Sequence, residues 1–201
     1  MKKGEKTRQD LLQIAYRLFL EKGYENTSVD TIIAEAKIAK GTYYYHFQSK
    51  EQMLEAVIGM MLEGYEERAY EVLGAELPLE EKMLGIVAAF RPSDNESTIV
   101  STLNKQENLI MHDRINREMI ERIVPMLSAV VVEGTQSGVF NCDDIPQRVR
   151  TIMILSSNLF DDGDFSEADV RVFIDTVEKI LGAAPGTMSV LNSIISGGQR
   201  Q

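Results

Sequence analysis

Apolar residues recur at α-helical spacing along almost the whole chain, and the strict alternation of a half-buried strand is nearly absent. This limits the fold to packed helices, because each amphipathic stripe must be buried against another helix. In TRQDLLQIAYRLFLEKG, Leu11, Ile14, Ala15, Leu18 and Phe19 share one face, and Gly23 supplies a left-handed stop. TSVDTIIAEA then opens a short second helix, with Thr27 and Asp30 as a capping pair and Val29, Ile32, Ile33 and Ala36 as its buried stripe. After a three-residue turn comes AKGTYYYHF, and then a new start where Ser49 caps and Gln52 reaches back. The fourth helix carries Met53, Leu54, Val57, Ile58, Met61, Leu62 and Tyr65 inward and runs to about Leu73, before the break at Pro78.

Three short helices with a tight turn between the second and third form the ground plan of a helix-turn-helix module. Charge supports a polyanion as its partner. Residues 1–50 hold nine Lys/Arg against six Asp/Glu, whereas the remaining residues hold twelve against twenty-five, within a net charge of −10. A basic end binds phosphates by releasing their condensed counterions, and an acidic remainder orients the molecule on the same polyanion. If residues 39–46 are helical, Ile38, Tyr43 and Phe47 point to a small core while Lys40, Thr42, Tyr44, Tyr45 and His46 line the other side. Three consecutive tyrosines cannot all be buried by one partner, since they span about 200° of a helix. Gly41 permits close approach of a phosphate, Lys40 and Lys50 bring charge to both ends, Tyr44 and Tyr45 offer hydroxyls, and Thr42 can meet a base edge.

Residues 8–54 resemble the amino-terminal module of the tetracycline-repressor (TetR) family, through LFLEKGYENTSVDTIIAEA and AKGTYYYHFQSKEQML. The resemblance implies an all-α homodimer, with a helix-turn-helix DNA-binding domain over residues 1–48 and a ligand-binding and dimerisation domain over 49–201, about nine helices in all. Carried over by position, Thr27 would bind a phosphate, and Lys40, Gly41, Thr42, Tyr44, Tyr45, His46 and Lys50 would meet backbone or bases of a palindromic operator. Two positions depart from the family pattern. Lys37 stands where a turn glycine is common, at a cost of about 1 kcal/mol if the turn is left-handed. Ala39 stands where a serine often caps the recognition helix, a loss of about 1 kcal/mol if nothing replaces it.

The carboxy-terminal part informs about architecture. PLEEKMLGIVAAF starts a helix with proline in its first turn, and the polar PSDNEST follows as a loop or helix start. Helical spacing resumes from Gln106 to Ser137, where Pro125 is expected to kink or divide the helix near Val124. EGTQSGVFN closes that element, and two last helices fall at about 145–160 and 167–182, the second capped by Ser166 and Asp169. In the family such helices pair with their copies, so the resemblance implies a dimer interface at Ile152, Leu155 and Leu159 with Val170, Phe173, Ile174 and Val177. It also implies a pocket for a small, largely apolar effector, with Met61, Tyr65, Phe90, Met111, Met126 and Met153 as candidates. Ten methionines suit a reshapeable pocket, and they suit an ordinary core as well. The tail after Pro185 carries VLNSII, which either packs back or stays loose.

Other function classes find little support. No phosphate loop, nucleophile elbow or Glu-x-x-His pair is present, so neither an enzyme nor a cofactor is expected. His46 and His112 lack a second ligand at helical spacing, which argues against a metal. FDDGDFSEAD misses the alternating acids of a calcium loop and reads as a charged turn at a helix start. The single Cys142 reads as a small apolar side chain, and one cysteine excludes an internal disulfide. The longest apolar run, AVIGMML, is far below the ~18 residues of a membrane span, which makes the cytoplasm the expected location. One alternative stays open: a helical dimer used for protein contacts, without DNA binding.

Overall fold

The computed structural model describes residues 3–105, 108–160, 164–189 and 191. Among the described residues it consists of helices and connecting turns, without a strand. The α-helices are α1 (Lys3–Lys22), α2 (Val29–Ala36), α3 (Lys40–His46), α4 (Lys50–Gly74), α5 (Leu79–Ala89), α6 (Ser97–Leu103), α7 (Leu109–Gln136), α8 (Ile145–Phe160) and α9 (Glu167–Leu181), with a 3-10 turn at Asp94–Glu96. The chain gathers into two compact units, one from Met1–Gly64 and Pro92–Ile115, the other from Tyr65–Arg91 and Asn116–Gln201. The first unit thus extends past the three-helix head at residues 1–48 to include the first turns of α4 and the segment around α6.

Within the first unit, Leu11, Ala15, Leu18 and Phe19 of α1 are buried, as are Ile32 of α2, Tyr43 of α3 and Met53, Leu54 and Val57 of α4. These are the apolar stripes that the periodicity predicts. The α2 start is set one residue later than expected: Ser28 is the cap, its Oγ accepting from the Thr31 N–H at 3.1 Å. At the α4 start the Gln52 N–H donates to the Ser49 Oγ at 3.1 Å, and Gln52 Oε1 accepts from the Gln48 N–H at 2.6 Å, so the expected exchange occurs with a shift of one residue on the return bond. α6 packs on α1. Its approach is fixed by Glu96, a buried carboxylate that accepts from Tyr16 Oη at 2.9 Å and from the Ser93 N–H and Oγ at 2.8 Å each. Three donors satisfy what would otherwise be a costly buried charge.

In the second unit, α7 is continuous through Pro125, so of the kink or division expected there the helix is not divided. Pro125 and Glu121, whose carbonyl loses its helical partner, are both exposed, so water can replace that bond. The neighbours Ile123, Val124, Met126 and Leu127 are buried, and their packing holds the helix together. Ser166 and Asp169 cap α9 reciprocally, at 3.2 Å for the Asp169 N–H on Ser166 Oγ and 2.8 Å for the Ser166 N–H on Asp169 Oδ2. Those bonds from Ser166, backbone first, hold the Asp169 carboxyl below its ordinary range.

The segment after α9 folds back. Met188 is buried, and its N–H donates to the carboxylate of the buried Glu178 at 2.9 Å. Most of VLNSII, residues 161–163 of FDDGD and Gln106 lie outside the described residues.

Two consequences are measurable. Gly182 ends α9 at φ 63°, and a side-chain carbon there would lie 2.1 Å from the Asn141 carbonyl oxygen, whose own N–H donates to Leu181 O at 3.0 Å. Gly182→Ala should lower stability by roughly 2 kcal/mol or more, read by calorimetry as a fall in Tm of about 4–8 °C. In the head, burial foremost pushes the Tyr43 hydroxyl up from 10.0 to about 12. The unfolded chain releases this proton near pH 10 while the folded chain holds it until about pH 12, so the associated stability is present below 10 and is lost as pH rises through that window. Tyr43→Phe should flatten the alkaline loss of stability relative to the parent, as followed by denaturant titration at several pH values.

Candidate nucleic-acid interface and apolar cavity

α3 has seven residues, too few to be helical alone, and its orientation comes from two anchors. Tyr43 and Phe47 are buried with ring centroids 6.0 Å apart, the Tyr43 hydroxyl donates to Ser49 O at 3.4 Å, and the Arg8 guanidinium lies 5.2 Å over the Phe47 ring. Helical geometry then turns the remaining residues outward. Lys40 and Gly41 are exposed, Thr42 is partly so, and Tyr44 and Tyr45 are 45% and 83% exposed. His46 is half-buried, with its ring edge-on to Tyr45 at 4.9 Å. A side-chain carbon at Gly41 would meet nothing within 4 Å, so internal packing does not require the glycine.

The other head residues are tied up to different degrees. Lys40 Nζ sits 3.3 Å from Asp30 Oδ1, an exposed pair of the kind that contributes little and opens readily. Lys50 is more constrained: its ammonium donates to Tyr24 O at 2.9 Å and lies 4.0 Å from the Tyr24 ring centroid. Thr27 requires a correction. It is fully buried, and its hydroxyl donates to Gly23 O at 2.9 Å and lies 3.3 Å from Leu18 O, so it is an internal brace between α1 and α2, unable to reach a phosphate with its side chain. The adjacent exposed Ser28 holds the α2 cap instead.

Lys37, at the α2 end, adopts φ 52° and ψ 43°, the left-handed geometry that makes glycine the easier residue there. Its N–H and that of Ile38 bond back to Ala34 O and Ile33 O at 3.2 and 3.3 Å, which holds the turn despite the strain. Ala39 precedes α3 without any side-chain cap bond.

The second unit contains a cavity of about 360 Å³, within the range of small-molecule sites. α5 contributes Met83 and Val87, and α7 contributes Ile123 and Leu127. α8 adds Ile152, Met153 and Phe160, α9 adds Phe173 and Val177, and the returning tail closes it with Met188. Phe160 stands edge-on to Phe165 and Phe173, with centroids 4.8 and 5.1 Å away. Of the six pocket candidates, Phe90 and Met153 line this cavity. Met126 and Tyr65 are buried beside it but do not line it, Tyr65 packing edge-on to Phe90 at 6.4 Å. Met61 and Met111 belong to the other unit.

The candidate interface residues separate in the same way. Val170, Phe173, Ile174 and Val177 are already buried in the single chain, and Ile152, Phe173 and Val177 line the cavity. Leu155 and Leu159 remain exposed, together with Ile154 and Val172, for which the sequence reading had no role. Sequence reading also missed Arg91, Ser156 and Ser157, the polar members of the cavity lining. None of them carries a local signal, since a charged residue after an apolar helix and serines on a helix are ordinary surface features.

Comparison with known proteins agrees with this arrangement. Residues 11–57 match the family model of bacterial regulatory proteins, tetR family. A fatty acid metabolism regulator protein of Bacillus subtilis (strain 168) is 27% identical over 69% of this chain and 73% of its own length. The HTH-type transcriptional repressor KstR2 of Mycolicibacterium smegmatis is 37% identical over 41% of this chain and 40% of its own length. Among solved structures, RolR in complex with resorcinol superposes with a TM-score of 0.66 at 19% identity, covering 94% of both chains, and so shares the fold. A seven-residue helix with an outward polar and aromatic face thus lies in the segment, residues 11–57, that is similar to the tetR family of bacterial regulatory proteins, and the chain as a whole shares the fold of RolR.

Proposed function

We propose that the chain is a repressor that binds a palindromic operator as a homodimer in the cytoplasm and is released by a small, largely apolar effector. Residues 1–48 read the DNA, and the remainder binds the effector and pairs the two copies. The outward face of α3 carries this reading. Tyr44 and Tyr45 remain exposed although burial would stabilise such rings by about 1.5–3 kcal/mol each, which suits residues kept for a partner. In that role Tyr44 and Tyr45 donate to phosphate oxygens, Lys40 leaves Asp30 for the backbone or a base, and Thr42 faces a base edge. Gly41 allows the sugar-phosphate chain to come close, and His46 and Lys50 flank the contact. The two heads of a dimer would enter successive major grooves about 34 Å apart.

The cavity supports the effector half of the reading, being apolar and large enough for a small molecule. Leu155 and Leu159, with Ile154 and Val172, offer an exposed apolar face for pairing two copies. No helix of the described residues is long and apolar enough to cross a membrane. The relatives named as a fatty acid metabolism regulator and as a transcriptional repressor support regulation of this kind.

Selection of bound fragments from a random duplex pool should recover an inverted repeat. With that duplex, Tyr44→Ala should weaken binding across all sequences, and Lys40→Ala should reduce the slope of log affinity against log salt by about one. Thr42→Val should instead relax the base preference at one position per half-site. Affinity that does not fall with rising salt, or a chain that stays monomeric, would overturn the proposal and favour a protein-interaction role.

A further inference from the structure

Several cations of the first unit lie against carboxylates. Arg17 pairs with Glu21 and Glu35, Lys105 with Glu25 at 2.6 Å, Arg114 with Glu55 at 2.7 Å and Lys40 with Asp30 at 3.3 Å. Arg8 is held in another way. Its guanidinium carbon stands 5.2 Å from the centroid of the Phe47 ring, over the ring, and the residue is exposed. A carboxylate cancels the charge it pairs with, whereas a neutral ring fixes a cation and leaves its net charge in place. The contact with a ring face also leaves the N–H fork of the guanidinium to other partners.

The place of this cation matters. Phe47 directly follows α3 and is buried, so Arg8 rests at the carboxy-terminal end of that helix. One turn earlier in α1, a side-chain carbon at Gly4 would stand 4.0 Å from His46 Cε1. Two positions of α1 therefore meet the end of α3, and the first turns of α1 border the face that Tyr44, Tyr45 and His46 carry. Resting on the DNA-reading role proposed for that face, we propose that Arg8 binds a backbone phosphate of the duplex at the carboxy-terminal margin of α3.

Chemistry favours a phosphate over a base. Arg8 comes from α1 and stands at the end of α3, not on the side that enters a groove, and contacts outside the groove go to the backbone. The planar fork of arginine matches two phosphate oxygens at once. Resting over Phe47, the side chain has already lost part of the freedom that binding would otherwise remove. Lys50, the other cation near this end, is more committed, since its ammonium donates to Tyr24 O and lies over the Tyr24 ring. Charge along the start of α1 agrees: KGEKTRQD holds three cations against Glu5 and Asp10. Asp10, two residues after Arg8, points about 200° away from it around the helix.

Fluorescence anisotropy of the full chain with two labelled duplexes, the selected one and a random one of equal length, tests this between about 50 and 200 mM salt. Arg8→Gln should weaken binding to both about tenfold and reduce the slope of log affinity against log salt by about one per head. Equal loss on both duplexes marks a contact that carries no base information. Arg8→Lys should restore the slope and most of the affinity, since the charge returns without the fork. A residue that only props Phe47 would lower the melting temperature and the affinity while leaving the slope as in the parent, and that result overturns the proposal. Parent-like binding by Arg8→Gln overturns it too, with the DNA-reading face left standing. If the parent itself binds neither duplex in a salt-dependent way, the DNA-reading role fails as well.

Discussion

Burial of Tyr43 and Phe47 is the constraint on which the head depends. α3 has seven residues and no side-chain cap at Ala39, so neither length nor capping accounts for its being helical. What holds it is the burial of these two rings, with Arg8 of α1 over the Phe47 ring and the Tyr43 hydroxyl donating to Ser49 O just before α4. Because consecutive helical residues are about 100° apart, anchoring Tyr43 decides that Tyr44 and Tyr45 face away. An outward polar and aromatic face thus follows from an apolar contact. Lys37, in left-handed geometry at the end of α2, is held by the same packing, and the strain that a glycine would avoid is tolerated because the helices on both sides are fixed.

The buried carboxylate of Glu96 plays a comparable part outside the head. With donors from Tyr16 and Ser93, it joins the segment before α6 to α1. Two residues ahead of Ser93 lies Arg91, which lines the cavity of the other unit. The chain therefore passes within a few residues from a cavity wall to a bond with α1.

Much of this molecule can be read locally. Helix spacing places the last two helices at the positions later found, and Ser166 with Asp169 forms the expected reciprocal cap. Errors are instructive in the same terms. Thr27 and Ser28 are both good caps, and the choice between them depends on which hydroxyl the packing of α1 against α2 buries; Thr27 is the one that braces Gly23 O. Pro125 signals a kink or a division by its chemistry alone, and with buried neighbours on both sides α7 is not divided there. The amphipathic stripes of α8 and α9 announce burial without saying against what. Phe173 and Val177 fit a dimer seam and a cavity wall equally well, and they line the cavity.

The sequence by itself determined the helical class, most helix boundaries to within a few residues and the helix-turn-helix head, because these follow from interactions between residues up to about four apart and from a motif whose spacing is rigid. Only the tertiary structure decided which polar groups are used internally and where the apolar stripes leave a space. Lys50 bonds a carbonyl 26 residues away, and Tyr16 bonds a carboxylate 80 residues away. Contacts at such separations depend on chain closure and on the summed packing of many side chains, which no local pattern records.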